Sequence, residues 1–224
     1  MDIKKINEYL RKYENEPKVF EQDYFKLAIC YAQLSNYRKA KELFSDSLTA
    51  MFGSNPYWRA SSQPNWLVDV AVLSGRSDLY PSVLEELTLY RLSSTKSNPI
   101  GNSPIAHYCY SVMEILYPGS GNISDWIKGL VKRPKYKDMY AIGLVIQAIT
   151  SKNQILFTNS LQLLLKAHEG QAKYGELRLT PEGWVCLPAM TLSYLANQRN
   201  LKLEVENEYL PLGYLSYLRE QQII

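Results

Sequence analysis

The chain has little of what enzymes and metal proteins draw on. Its 224 residues include only two histidines, His107 and His168, and three cysteines, Cys30, Cys109 and Cys186. An odd number of widely spaced thiols excludes a disulfide framework and fits buried, reduced cysteines. His107 and Cys109 are i,i+2 on a helix, which turns their side chains roughly 200° apart, so one helix cannot make them a metal pair or a nucleophile and base. A pairing of Cys109 or Cys186 with His168 would need a tertiary contact. No phosphate-loop, dinucleotide, H-E-x-x-H or C-x-x-C motif occurs. No cofactor, metal, catalytic residue or small-molecule ligand is expected, and the chain does not read as an enzyme.

Long apolar runs are missing too. None approaches the roughly 18–20 residues of a membrane span, and the opening "MDIKKINEYLRKYENE" has no apolar centre for secretion. A cytoplasmic protein without a membrane partner is expected. The net charge is only +3, too small to imply nucleic acid. The densest basic stretch, "KGLVKRPKYK", interleaves Tyr136 with Lys128, Lys132, Arg133, Lys135 and Lys137. A helix C-terminus accounts for Lys132 and Arg133 without a ligand.

What the chain does have is ordinary globular content, 46% hydrophobic and 21% charged, which excludes a disordered chain. It also has 18 tyrosines against 5 Phe and 4 Trp. Tyrosine joins a broad apolar ring to a polar tip, which suits helix packing near a surface and protein interfaces.

Helical periodicity runs through the sequence. In "YFKLAICYAQLSNYRKAKELF", Tyr24, Leu27, Ala28, Tyr31 and Leu34 recur at helical spacing. After the turn "SNY", Ala40, Leu43, Phe44 and Leu48 do the same. This is the shape of one tetratricopeptide unit, with Ala28 and Ala40 at the close approach of two helices and Tyr24, Tyr31, Tyr37 and Phe44 filling the groove. Phe52 stands where that repeat places proline, and nothing similar returns roughly 34 residues later. A lone unit cannot bury its apolar face, so it must pack on other helices of the chain.

A second hairpin follows in "PNWLVDVAVLSGRSDLYPSVLEELTLYRL": Pro64 and Asn65 open its first helix, Gly75 ends it, and Ser77 or Asp78 caps the next, with Pro81 in the first turn. The polar stretch 93–103, "SSTKSNPIGNS", is a loop and the candidate soft junction of an otherwise single domain spanning 1–224. Beyond it Ser103 caps a helix with Pro104 at its first position, running to Tyr117, and Ser124 opens a short helix closed by Pro134. "DMYAIGLVIQAITS" is placed at the centre of the core, with Gly143 and Ala148 allowing close approach. A long amphipathic helix ends at Gly175, and "WVCLPAMTLSYLANQR" makes another, with Pro188 near its first turn.

In "NLKLEVENEYLP" the period changes to two. Leu201, Leu203 and Val205 alternate with Lys202, Glu204 and Glu206, an extended arm with one face on the protein and one in water. The predicted fold is all-α: about nine or ten helices in an irregular stack of antiparallel hairpins, with a tetratricopeptide-like N-terminal hairpin and a short extended C-terminal arm.

Two stretches resemble the immunity protein 49 family, all-α antidotes of bacterial polymorphic toxin systems. The first is "QPNWLVDVAVLSGRSDLYPSVLEEL". The second and more specific is "NSLQLLLKAHEGQAKYGELRLTPEGWVCLPAMTLSYLANQRNLKLEVENEYLP". It holds a helix ending near His168, a glycine turn at Gly183, Pro188 in the next helix, and alternating acids closing on Tyr209-Leu210-Pro211. Asn207 stands where the family pattern favours serine. The resemblance implies a stoichiometric inhibitor of a cognate toxin encoded beside it, with no catalytic residues. The alternative from the hairpin is a tetratricopeptide-like adaptor or scaffold binding peptides or proteins. Candidate toxin contacts are Glu204, Glu206 and Glu208 with Tyr209, which would meet a basic cleft, and Tyr57, Trp58 and Arg59 in "GSNPYWRASS", residue types common in interface hot spots.

Overall fold

The computed structural model describes residues 3–17, 21–53, 64–92, 103–119 and 121–221. Among these residues the chain forms eleven α-helices and no strand, as the periodicity predicts. In chain order they are α1 (Ile3–Tyr13), α2 (Glu21–Gln33), α3 (Tyr37–Gly53), α4 (Pro64–Ser74), α5 (Tyr80–Leu92), α6 (Pro104–Leu116), α7 (Ile123–Val131), α8 (Lys137–Ser151), α9 (Gln154–Tyr174), α10 (Leu187–Gln198) and α11 (Leu212–Glu220). Most of the junction expected at 93–103, and Tyr57, Trp58 and Arg59, lie outside the described residues.

The caps follow local chemistry. Ser103 Oγ accepts from the Ala106 N–H at 3.1 Å, with Pro104 in the first turn of α6, and Asn153 Oδ1 accepts from the Leu156 N–H at 3.0 Å to start α9. One expected cap moves. Asn122, rather than Ser124, caps α7, its Oδ1 accepting from the Ser124 N–H at 3.1 Å. The asparagine caps the helix two positions earlier than the serine would. The helix read from Trp184 also starts later, at Leu187, because residues 181–183 first wind a 3-10 turn. Residues 77–79 form a second such turn, where Asp78 takes two hydrogen bonds from the Arg76 guanidinium, at 2.9 and 2.7 Å.

Helices α2 and α3 make the expected hairpin, with Ala28, Ala40 and Phe44 wholly buried. Its ring-lined face is covered by α11, a helix not read from the sequence. The Tyr214 ring lies 5.7 Å from Phe44 and 6.3 Å from Tyr37, and its hydroxyl donates to the Leu73 carbonyl at 2.6 Å.

Two helices are buried nearly all round. In α4 every residue from Leu67 to Ser74 is buried, and α8 buries Ala141, Ile142, Gly143, Val145, Ile146, Ala148 and Ile149. Gly143 lets α7 cross close to α8: a Cβ there would stand 2.8 Å from Leu130 Cβ and 2.9 Å from Val131 Cγ1.

The arm crosses the helices without entering a sheet, and side-chain amides take its backbone groups. Gln154 donates to the Lys202 carbonyl at 2.9 Å and accepts from the Lys202 N–H at 2.8 Å. Asn207 Oδ1 accepts from the Tyr209 N–H at 2.9 Å, and the Tyr209 carbonyl accepts from the Cys186 N–H at 2.9 Å. A serine at 207 would make the same kind of turn more weakly.

Two glycines separate packing from propensity. Gly143→Leu should lower the unfolding free energy by about 1–3 kcal/mol, because the added side chain overpacks the α7–α8 contact. Gly170→Ala, in exposed α9 with nothing within 4 Å of the new Cβ, should raise it by up to about 1 kcal/mol. Urea unfolding of the two variants beside the parent chain checks both signs.

Candidate functional site

Two places gather chemistry: the outer edge of the arm and a cleft beneath the preceding helices. On the arm, Leu201 and Val205 are buried and Lys202, Glu204, Glu206 and Glu208 are exposed, as the period of two predicts. Tyr209 faces inward, only 7% exposed, and its ring meets His168 edge-on with centroids 5.1 Å apart. Burial and the neighbouring Glu208 raise its phenol above the usual range. Tyr209 therefore anchors the acidic edge rather than extending it.

The cleft has a volume of about 530 Å³ and lies between α4, α8, α9 and the segment from Glu176 to Pro188. Asp69, wholly buried on α4, lines it. Its Oδ1 accepts from the Tyr108 hydroxyl of α6 and from the Thr191 hydroxyl of α10 at 2.7 Å. Its Oδ2 has no partner among the described residues. Burial pushes the Asp69 carboxyl up to about 7, against the opposing pull of its two hydrogen bonds. Across the cleft, His168 ends the apolar face of α9. Burial lowers its imidazole to about 4, a hydrogen bond to the Gly183 backbone opposes that, and Nε2 is left without a partner.

Cys186 lines the same cleft as His168, which is the tertiary proximity that sequence could not supply. The two are poorly matched for thiol chemistry. Burial raises Cys186 to about 12 while it lowers His168 to about 4, so both shifts oppose proton transfer from thiol to imidazole. Cys30 is raised to about 12 and Cys109 well above its ordinary range, both by burial. His107 is pressed against Gly129 with Nδ1 unpartnered, and it is lowered by burial and by nearby Arg133. Among the described residues no three His, Cys, Asp or Glu side chains converge to hold a metal ion. The basic stretch 128–137 joins α7 to α8, with Tyr136 exposed and Lys128 paired with Asp125 at 3.1 Å.

Sequence reasoning found the arm and missed the cleft. A signal for it was present: Asp69 is a lone acid in the apolar run "WLVDVAVL", and such a residue on a helix buried all round must meet partners or strain.

Residues 132–214, less than half of the chain, match the model of the family described as Immunity protein 49. No curated protein and no solved structure matches the chain. The matched segment contains the second resembling stretch, 159–211, and not the first, at 63–87. No helix among the described residues is long and apolar enough to cross a membrane.

Asp69 and His168 should pull stability in opposite directions as pH changes. The Asp69 carboxyl binds its proton more tightly folded than unfolded, so its contribution falls between about pH 4 and pH 7 and is level above, a loss of about 4 kcal/mol. His168 is held neutral when folded while the unfolded imidazole protonates near 6.5, so its contribution rises between about pH 4 and 6.5, by about 3 kcal/mol. Unfolding titrations at half-unit steps of pH should show Asp69→Asn gaining on the parent chain as pH climbs to 7, and His168→Gln losing to it over pH 4 to 6.5. A pH-independent offset in either variant contradicts the assignment for that residue.

Proposed function

We propose that this protein is a cytoplasmic immunity protein that binds a cognate bacterial toxin and neutralises it stoichiometrically. The observation that carries the reading is the match of residues 132–214 to the Immunity protein 49 family, a segment that supplies α8, α9, α10 and the whole arm. The toxin is then encoded beside the gene, and the chain contributes surface rather than bond-making groups. The mismatch of Cys186 and His168 supports that, since this thiol–imidazole pair lining the cleft is tuned against nucleophilic attack. Against the adaptor reading stands α11, which fills the hairpin face where a peptide would otherwise lie.

The contact surface proposed is the acidic edge, Glu204, Glu206 and Glu208, held in register by buried Val205 and Tyr209. Carboxylates on one rigid edge attract a basic cleft and fix the orientation of approach. Tyr57, Trp58 and Arg59, outside the described residues, remain proposed as aromatic and cationic contacts. Rim charges act mainly on association, so their loss slows capture more than it speeds release.

Coexpression with the product of the adjacent gene tests the function: cells should survive, and the two chains should copurify in a one-to-one complex. Failure of protection with a soluble, folded chain would sink the reading. The double reversal Glu204→Lys and Glu206→Lys should leave the unfolding midpoint unchanged and slow association with the toxin by about tenfold at low salt. Surface-binding kinetics at two ionic strengths read this directly, and an unchanged rate removes the arm from the interface.

A further inference from the structure

The sequence gives no reason to expect a small ligand, yet the cleft is built like a receptor for one chemical group. Its volume of about 530 Å³ falls in the range of small-ligand sites. Four carboxylates line it, Asp69, Asp138, Glu176 and Glu182, and no lysine or arginine does. Lys26 reaches Glu182 only through Oε1, at 3.8 Å. Three buried acceptor atoms have no partner among the described residues: Asp69 Oδ2, Glu182 Oε2 and His168 Nε2. The His168 nitrogen is an acceptor because the neutral ring uses its other N–H toward the Gly183 backbone.

A complementary ligand therefore brings positive charge and several donors. A bare metal ion does not meet this demand, because the oxygens and nitrogens do not converge on one point. A primary ammonium concentrates its donors on one nitrogen, whereas a guanidinium spreads five N–H groups around a flat frame. The cleft also carries Trp66, seated against Phe25 with ring centroids 4.8 Å apart, and a fixed indole is a surface on which a flat cation stacks. We propose that this cleft binds a guanidinium group, either the arginine side chain of a polypeptide partner or a free guanidinium compound. Assignment of that arginine to the toxin rests on the immunity reading, while guanidinium binding itself does not.

The test is a calorimetric and NMR titration of the full chain with three probes: agmatine, the capped tripeptide Gly-Arg-Gly, and its neutral counterpart Gly-citrulline-Gly. Saturable binding of a guanidinium probe at least tenfold tighter than the citrulline peptide is expected, with shifts at the Trp66 indole and the His168 ring. Glu182→Gln should weaken it tenfold or more, and Asp138→Asn provides a second variant away from the Lys26 pair should Glu182→Gln unfold. Tighter tripeptide binding identifies a polypeptide source, and tighter agmatine binding a free compound. Equal affinity for the citrulline peptide, or no saturation by any probe, overturns the proposal. Protection of cells by a chain that binds none of the probes overturns this inference and leaves the immunity reading standing. Guanidinium binding without protection does the reverse.

Discussion

One buried carboxylate fixes how three helices meet. Asp69 takes hydroxyl donors from Tyr108 on α6 and Thr191 on α10 at the same oxygen, so α4 cannot slide or rotate against either without stranding a charge or a hydroxyl in an apolar interior. Partial loss of such a network leaves a buried group unsatisfied, which costs more than the intact bonds contribute. A core of aliphatic side chains alone would tolerate several registers of α4, since that helix is buried nearly all round. The polar contact selects one of them. The same carboxylate is left half-satisfied where the helices open onto the cleft, so the feature that sets the packing also creates the site.

Local signals were legible in the sequence because they are governed by neighbours. Ser103 followed by Pro104, Gly75 at φ +69° and the small residue Gly143 each have a cause within one turn or one contact. The arm was legible for the same reason: alternation from Leu201 to Glu206 states which side is wet. What fastens the arm was not legible. Gln154 lies 48 residues from Lys202, and nothing in either neighbourhood marks the pairing of their amide groups. Helix α11 escaped notice because it follows "EYLP" closely and its exposed and buried positions blur into the arm's pattern.

The cleft was hidden for a different reason. Its walls come from α4, α8, α9 and the segment around the 3-10 turn at 181–183, and each residue in its own context reads as ordinary. Asp138 is a first-turn acid, Glu182 sits in a 3-10 turn, and His168 lies near a helix end. Only assembly brings these two carboxylates and the histidine together with Asp69 in one acid-rich lining. The 18 tyrosines illustrate the converse. They suggested interfaces, yet Tyr108, Tyr209 and Tyr214 are spent inside, two of them as hydroxyl donors to distant helices.

Charge placement ties the two sites together. The chain as a whole is slightly basic, at +3, while the outer edge of the arm and the lining of the cleft are both acidic. The compensating cations are concentrated elsewhere, most densely along 128–137 between α7 and α8. Tyr209 is the physical link: its backbone carbonyl is held by Cys186 of the cleft, its ring rests on His168, and Glu208 and Glu206 stand immediately before it on the edge. On the reading proposed above, a basic partner drawn to the arm would be brought within a few residues of the cleft, whose acidic lining favours the same sign of charge. Long-range attraction and short-range recognition would then act on one partner in succession, the first setting the rate of encounter and the second its lifetime.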